Sequence, residues 1–187
     1  MGGDAVITCR ARALVCDGEG VGDDWEKRID EAWASYDTYG EERAAEFRAV
    51  IDALVAELPE GDPAGLFERA CAFDSTGRSD LAVPLYQEAL ERGLDGYRRR
   101  RALIQLASSL RNVGRAKEGV ALLEPELIGT SDELDDAVRA VLALCLASLG
   151  REREGLSLVL GALAPHLPRY QRSMAHYARA LVEPAQA

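Results

Sequence analysis

The sequence predicts an all-α protein built from repeated helical hairpins, and three observations support this fold class. Only 6% of its 187 residues are aromatic, whereas alanine, leucine, arginine and glutamate abound, and that composition favours helices. Apolar residues recur at helical spacing along most of the chain. A Gly-Arg pair recurs at Gly77, Gly114 and Gly150, which are 37 and 36 residues apart. Internal repeats of this length are typical of helical arrays.

Each Gly-Arg pair belongs to a longer motif that predicts a turn between two helices. The three copies align without gaps: TGRSDLAVPLYQEAL from Thr76, VGRAKEGVALLEPEL from Val113 and LGREREGLSLVLGAL from Leu149. A fainter copy, YGEERAAEFRAVIDAL, contains Gly40. Glycine often ends a helix because the closing residue needs a left-handed backbone. We therefore expect one helix to end at each glycine and a second helix to follow after a short turn.

The apolar faces of these helices form the predicted core. The helix before Gly114 has the face Leu103, Leu106, Ala107, Leu110 and Val113, and the helix before Gly150 has Val138, Val141, Leu142, Leu146 and Leu149. The helix after Gly77 has Leu81, Leu85, Tyr86 and Leu90. Small residues recur at one position of each second helix: Ala45, Ala82, Gly119 and Gly155. We expect helices to cross most closely there, since a bulky side chain would push them apart.

This pattern resembles the tetratricopeptide repeat (TPR) family over roughly residues 25 to 167. The family signature has a small and then a bulky residue before the glycine, followed by two alanines. Here these are Ala70, Phe73, Gly77, Ala82 and Ala89. The resemblance implies a right-handed superhelical solenoid with a concave groove that binds proteins. The stretch FERACAFDSTGRSDLAVPLYQEALERGLDGYRRRRALIQLASSLRNVGR is similar to a family of small bacterial TPR proteins, which implies a homodimer as a second expectation.

The repeats predict four parts of the chain. Residues 1–22 are expected to form a flexible N-terminal tail, and residues 23–58 a degenerate helical hairpin. Three TPR-like repeats are expected over residues 63–167. A C-terminal capping helix is expected over residues 168–183, because the open end of an array needs a cover with a polar outer face. The side of this helix that faces the array contains Tyr170, Met174, Ala178 and Leu181.

The sequence contains no motif of an active site, so we expect a protein that is not an enzyme. His166 and His176 lie on different segments, and neither has a cysteine or carboxylate at ligand spacing. The four cysteines, Cys9, Cys16, Cys71 and Cys145, form no pair with zinc-site spacing. We therefore expect no metal and no cofactor. Cys71 and Cys145 are expected to be small buried residues.

Charge and hydropathy limit the classes of partner. A pI near 4.8 disfavours binding to nucleic acid or to an anionic membrane, both of which require a basic surface. No segment has the roughly 18 consecutive apolar residues of a membrane span, and the N-terminus does not resemble a signal peptide. We therefore expect a cytoplasmic protein whose partner is an unidentified protein or peptide.

Four consecutive arginines, Arg98 to Arg101, stand out in a chain with a formal net charge of -10. A helix turns by about 100° per residue, so these side chains point in different directions and cannot form a single patch. Arg99 and Arg100 are expected to face solvent or the acidic hairpin of residues 23–58. Asp95 is expected to cap the start of the helix.

A polar stripe remains on one face of the same helix, made of Arg101, Gln105, Ser108 and Asn112, with Arg98 and Arg111 beside it. By resemblance to the family, the concave groove includes Arg101, Ile104, Ser108, Arg111 and Asn112. The preceding repeat contributes Phe67 and Asp74 to the same groove, and the following repeat Leu144 and Ser148. The predicted peptide-binding residues are Arg98, Arg101, Gln105, Ser108, Arg111, Asn112, Asp74 and Phe67.

The stripe allows two interpretations. Residues 96–115 contain six arginines and no acid, whereas residues 23–62 contain thirteen acids and four bases. In the first interpretation, the arginines bind an acidic or carboxylate-bearing segment of a partner, because guanidinium groups bind carboxylates in pairs. In the second, the acidic hairpin neutralises the arginines within the chain or across a homodimer that Ile104 and Leu144 help to form.

Overall fold

A computed structural model describes residues 21–129 and 131–183, so the predicted tail of residues 1–22 falls almost entirely outside the described residues. Within the described ranges the secondary structure consists of α-helices and short 3-10 turns, without a β-strand. The chain divides into two compact units, Met1–Leu94 and Asp95–Ala187. The boundary between them lies inside residues 63–167, the range predicted for the three repeats, and the sequence pattern does not predict it.

The first unit contains four helices. They are α1 (Val21–Ala34), α2 (Ala44–Val55), α3 (Pro63–Ser75) and α4 (Ser79–Glu91), and the 3-10 turns Tyr36–Thr38 and Glu41–Arg43 join α1 to α2. Each helix packs against the next one along the chain. The N-terminus of α3 is capped by Asp62, whose Oδ1 accepts hydrogen bonds from the amides of Ala64 and Gly65 at 2.9 and 3.1 Å.

Aromatic packing forms the core of the predicted degenerate hairpin, and a hydrogen bond joins this core to α3. The rings of Trp33, Tyr36 and Tyr39 surround the buried ring of Phe47, with centroids 4.8 to 5.4 Å apart. The indole of Trp33 also donates a hydrogen bond to Glu68 of α3 at 2.7 Å. Ala45 is exposed here, so the expected close crossing at this position is wrong for α2. The cause is Phe47, which takes the inward position instead.

The second unit contains five helices. They are α5 (Gly96–Asn112), α6 (Ala116–Leu123), α7 (Asp135–Ala147), α8 (Glu152–Leu163) and α9 (Gln171–Ala180), with 3-10 turns at Pro125–Leu127 and Ala164–His166. Helix α5 packs against both α6 and α7, α7 packs against α8, and α8 packs against α9. The core consists mainly of the predicted faces of α5 and α7, but Val113 and Leu149 lie beyond the helix ends and are exposed.

The repeated glycines close their helices as predicted. Gly77, Gly114 and Gly150 have φ values of 74°, 80° and 75°, which side-chain-bearing residues rarely adopt. In each case the amide of the following arginine donates to the carbonyl five residues earlier, at 2.7 to 3.0 Å. The arginine side chain then pairs with an acid in the first turn of the next helix, as Arg115 does with Glu118 and Arg151 with Glu154. We call this arrangement the Gly-Arg corner.

Two of the predicted small residues lie at very close helix crossings in the second unit. A Cβ atom on Gly119 of α6 would lie 2.9 Å from Cys145 Sγ and 3.0 Å from the carbonyl oxygen of Ala107. A Cβ atom on Gly155 of α8 would lie 2.8 Å from the carbonyl oxygen of Ala143. Glycine at these positions therefore allows backbones to approach to distances that any side chain would prevent.

Helix α9 packs against α8 through one side only. Ala178 is buried, and its carbonyl accepts a hydrogen bond from Ser157 Oγ at 2.7 Å. Met174 and Leu181 are half-buried, in agreement with the predicted face. Tyr170 is 74% exposed, because it precedes the helix with a left-handed φ of 69° and its ring turns away from the interface.

Candidate peptide-binding surface

Two arginines at the start of α5, Arg99 and Arg100, form ion pairs with acids of the second unit. Arg100 is 6% exposed, and its guanidinium lies 2.6 Å from Asp135 Oδ1 and 3.4 Å from Asp132 Oδ1. Arg99 lies 3.4 Å from Glu126 Oε1. The expectation that these two arginines face solvent or the acidic first hairpin is therefore wrong for Arg100, which pairs with the segment before α7.

Asp135 is the centre of this polar cluster. Its Oδ2 accepts a hydrogen bond from Ser131 Oγ at 2.6 Å, and its Oδ1 also accepts one from the amide of Asp132 at 3.3 Å. The pKa of Asp135 is held below its usual range, and the hydrogen bond from Ser131 is the largest cause. The Asp132 amide and the charge of Arg100 lower the pKa further. Asp95 occupies the N-cap position of α5 but its side chain forms no capping hydrogen bond, contrary to expectation.

The end of α5 presents a guanidinium group in a different environment. Arg111 Nε donates to Ser148 Oγ at 3.1 Å, and Arg111 Nη1 donates to Asn112 Oδ1 at 3.1 Å. Both acceptors are neutral, and no carboxylate in the described part of the chain forms an ion pair with Arg111. The side chain is half-buried, so two hydrogen bonds fix its position while part of its charge stays accessible.

Helix α7 places an exposed, mainly apolar face beside Arg111. Ser148 Oγ donates to the carbonyl of Leu144 at 3.1 Å while it accepts from Arg111, which uses both hydrogen-bonding roles of the hydroxyl. Leu144 is 42% exposed. Its neighbours on this face, Ala140 and Ala147, are small and also exposed. The arrangement therefore joins a positioned cation to an accessible aliphatic side chain.

The other predicted residues of α5 differ little from Arg111 in exposure. Arg98, Arg101, Gln105 and Ser108 are half-buried, and Asn112 is exposed. Ile104 is 8% exposed and belongs to the core, so it cannot help to form a dimer as expected. The thiol of Cys145 lies beneath this surface at 3.6 Å from the carbonyl of Ala107, and its burial raises its pKa despite the nearby charge of Arg111.

The two predicted residues of the first unit differ in exposure. Phe67 is fully buried, and its ring packs against Tyr86 with centroids 6.1 Å apart. Asp74 is half-buried, and its Oδ1 accepts a hydrogen bond from Ser79 Oγ at 3.2 Å across the turn to α4. Phe67 is therefore a core residue in this structure, because aromatic packing removes it from solvent, and the surface that we consider lies within the second unit.

The acidic first hairpin has cationic partners in its own unit. Arg28 donates two hydrogen bonds to the carboxylate of Glu57, and the distance from Arg28 Nη1 to Glu57 Oε1 is 2.7 Å. Asp52 Oδ1 lies 2.6 Å from Arg69 Nε. The Arg28 hydrogen bond holds the pKa of Glu57 below its usual range. Because Arg69 lies outside residues 23–62, its contact with Asp52 neutralises part of the acidic excess of that range within the first unit.

The described residues lack the features of a metal site and of a membrane span. They contain no cluster of three or more histidine, cysteine or acidic side chains that could hold a metal ion. No helix in residues 21–129 or 131–183 is long and apolar enough to cross a membrane. Cys71 and Cys145 are buried, as expected, whereas Cys9 and Cys16 lie outside the described residues. His166 Nε2 contacts Asp136 Oδ2 at 2.9 Å, so this histidine has a structural contact.

Comparisons with known proteins agree with the repeat pattern. One similar solved structure is a crystal structure from Podosopora anserina, of a protein provisionally assigned as a kinesin light chain with nearly identical TPR-like repeats. It superposes on this chain with a TM-score of 0.62, and the two sequences are 18% identical. The match covers 86% of this chain and 92% of that one, which shows a shared fold of TPR-like helical repeats. No protein of curated function has significant sequence similarity to this chain. The family profile described as Tetratrico peptide repeat matches residues 63–181, more than half of the sequence, and the chain therefore belongs to the tetratricopeptide repeat family.

Proposed function

We propose that this protein is a non-enzymatic protein-binding module and that its ligand surface is the face shared by α5 and α7. The family and fold are those of interaction modules. One observation carries the assignment of the surface: within the described residues, a hydroxyl and an amide oxygen accept the hydrogen bonds of the Arg111 guanidinium, and no carboxylate pairs with it. A guanidinium so positioned can bind a carboxylate through two parallel hydrogen bonds. The proposed ligand is therefore a carboxylate-bearing segment of another protein.

Charge reversal tests this assignment. The Arg111→Glu variant, and the Arg101→Glu/Arg111→Glu double variant, should lose capture of arrayed peptides that contain a fixed glutamate or a free C-terminal carboxylate. The matched control is Arg153→Glu, which makes the same charge change at an exposed position of α8. Circular dichroism of each variant verifies that the helices remain. Identical peptide sets for wild type and Arg111→Glu would refute the assignment.

Homodimerisation is the second candidate function, and a different surface favours it. Leu156, Val159 and Leu163 of α8 follow i, i+3, i+7 spacing and are 49%, 41% and 45% exposed. The equivalent residues of α6, Val120 and Leu123, are buried, with exposed fractions of only 6% and 0%. An exposed aliphatic stripe of this kind commonly marks an interaction surface. Light scattering at tens of micromolar protein tests this candidate, and a strict monomer for both wild type and Leu156→Glu would exclude it.

A further inference from the structure

Helix α9 presents a row of basic side chains on its outer face. Its inner face packs against α8. On the opposite side, Arg172, His176 and Arg179 follow i, i+4, i+7 spacing, and all three are exposed. Residues 156–182 contain no aspartate or glutamate, and the next acid, Glu183, forms no ion pair with Arg179. We call these three residues the α9 stripe.

The fold gains little from the arginines of the α9 stripe. Arg115, Arg139 and Arg151 of the same unit each pair with an acid three residues away. In the described part of the chain, no acid pairs with Arg172 or Arg179. Arg172 also lies in the first turn of α9, where a positive charge opposes the helix dipole. A ligand, rather than the stability of the fold, therefore accounts for this row of like charges.

The spacing of the α9 stripe indicates the shape of that ligand. Along a helix axis, intervals of four and three residues measure about 6.0 and 4.5 Å, so the stripe is about 10.5 Å long. A second helix that lies along α9 repeats these intervals when its carboxylates follow i, i+4, i+7 spacing. In an extended chain, residues on the same side are about 6.6 Å apart, and three of them span about 13 Å. We infer that the outer face of α9 binds an acidic helix of a partner protein.

Charge complementarity favours this occupant over nucleic acid or an anionic bilayer. The formal net charge of -10 repels a polyanion, and three side chains provide few of the cationic contacts that such a ligand requires. The inner face of α9 is packed against α8, so it cannot enter a bilayer. Tyr177 is 59% exposed, and its ring centroid lies 5.9 Å from that of His176, so it adds an apolar contact beside the stripe.

The test uses two fluorescein-labelled, alanine-based helical peptides and the full chain. In AAAAKAEAAEEAAEAKAAAA the glutamates lie on one face of the helix, with spacings that suit either orientation along α9. AAAAKEAAAAEEAEAKAAAA has the same composition, but its glutamates are distributed around the helix. Circular dichroism verifies that both peptides are helical. Fluorescence anisotropy should show that the one-faced peptide binds at least about 5-fold more tightly than the distributed one, and equal affinities would overturn the inference.

Charge reversal on α9 locates this binding. Arg172→Glu/Arg179→Glu should remove the preference for the one-faced peptide. Lys117→Glu/Arg153→Glu makes the same change in net charge at exposed positions of α6 and α8, and it should retain the preference. Far-UV circular dichroism of each variant verifies that its helices remain. A preference that persists in the α9 variant would show that the peptide binds elsewhere and that the inference is wrong.

The same variants distinguish other occupants and the surface of the proposed function. Arg111→Glu should leave the peptide preference unchanged, because Arg111 lies on α5, so this inference and the proposed function can fail independently. Loss of the preference in Arg111→Glu would assign the peptide to the face of α5 and α7. Without a peptide preference, the α9 variant may only lose binding to phosphatidylserine vesicles or a single-stranded oligonucleotide, or lose a dimer. Each of these outcomes would overturn the inference.

Discussion

Arg100 and Arg111 lie about three turns apart on the same helix, and their guanidinium groups have opposite environments. Arg100 is buried against two carboxylates, whereas Arg111 is half-buried and bonded to a hydroxyl and an amide oxygen. The number of arginines on a helix therefore does not indicate a binding surface. The partners that the fold supplies decide which arginine stabilises the structure and which can bind a ligand.

The largest expected effect concerns the stability that each arginine contributes. Arg100→Met should lower the free energy of unfolding by about 3 kcal/mol, because it leaves Asp132 and Asp135 partly buried without their cation. Arg111→Met should change it by about 0.5 kcal/mol or less, since no carboxylate is left behind. Urea denaturation followed by far-UV circular dichroism measures both. Equal losses for the two variants would remove the distinction between the ends of α5.

A second change acts between the two arginines, at the crossing of α5, α6 and α7. Gly119→Ala should lower the free energy of unfolding by about 2 kcal/mol, because the new Cβ would overlap Cys145 Sγ and the Ala107 carbonyl. Gly161→Ala is the matched control, since the space around Gly161 is open and alanine favours helices by up to about 1 kcal/mol. Thermal unfolding measures both. A Gly119→Ala protein as stable as the control would show that the crossing can relax.

Acid pH should affect the start of α5 more than its end. The pKa of Asp135 is lowered in the folded state, so its carboxylate stabilises the fold above the ordinary aspartate range, about pH 3.9. This contribution is lost as the pH falls through the lowered value. The difference in stability between wild type and Asp135→Asn should therefore shrink from pH 6 to about pH 3, as measured by urea denaturation. In Arg111→Met the wild-type pH dependence should persist, and its loss would contradict this assignment.

The smallest expected effect concerns the positioning of Arg111. Ser148→Ala removes the hydroxyl that accepts from Arg111 Nε and should weaken binding of the carboxylate-bearing peptides of the proposed surface about 3-fold. Its stability should stay within about 0.5 kcal/mol of wild type, because the hydroxyl is exposed. Anisotropy titrations measure the affinity, and Ser131→Ala, which removes a hydroxyl at the other end of the surface, is the control. Equal affinities for Ser148→Ala and wild type would show that Arg111 needs no such support.

The sequence predicts those features that depend on neighbouring residues. The Gly-Arg corners, the buried faces of α5 and α7, and the need for glycine at positions 119 and 155 all follow from local spacing. The pairing of Arg100 with Asp135 joins residues 35 positions apart, and helical spacing does not predict which acid approaches. In the sequence, the acidic residues of SDELDD before α7 are the feature that could have indicated this pairing. Family resemblance also placed Phe67 and Ile104 in a groove, but their burial depends on packing that the pattern does not contain.

The Gly-Arg corner affects both how fast the chain can fold and how easily its number of repeats can change. Every corner is made by residues within one short stretch, and in each unit the helices pack against helices nearby in the sequence. Proteins dominated by such local contacts fold in microseconds to milliseconds, because little loop entropy is lost before contacts form. A duplicated or deleted stretch of one repeat length would carry its own corner with it. The number of hairpins in such a protein can therefore change by gene duplication without the invention of new long-range pairings.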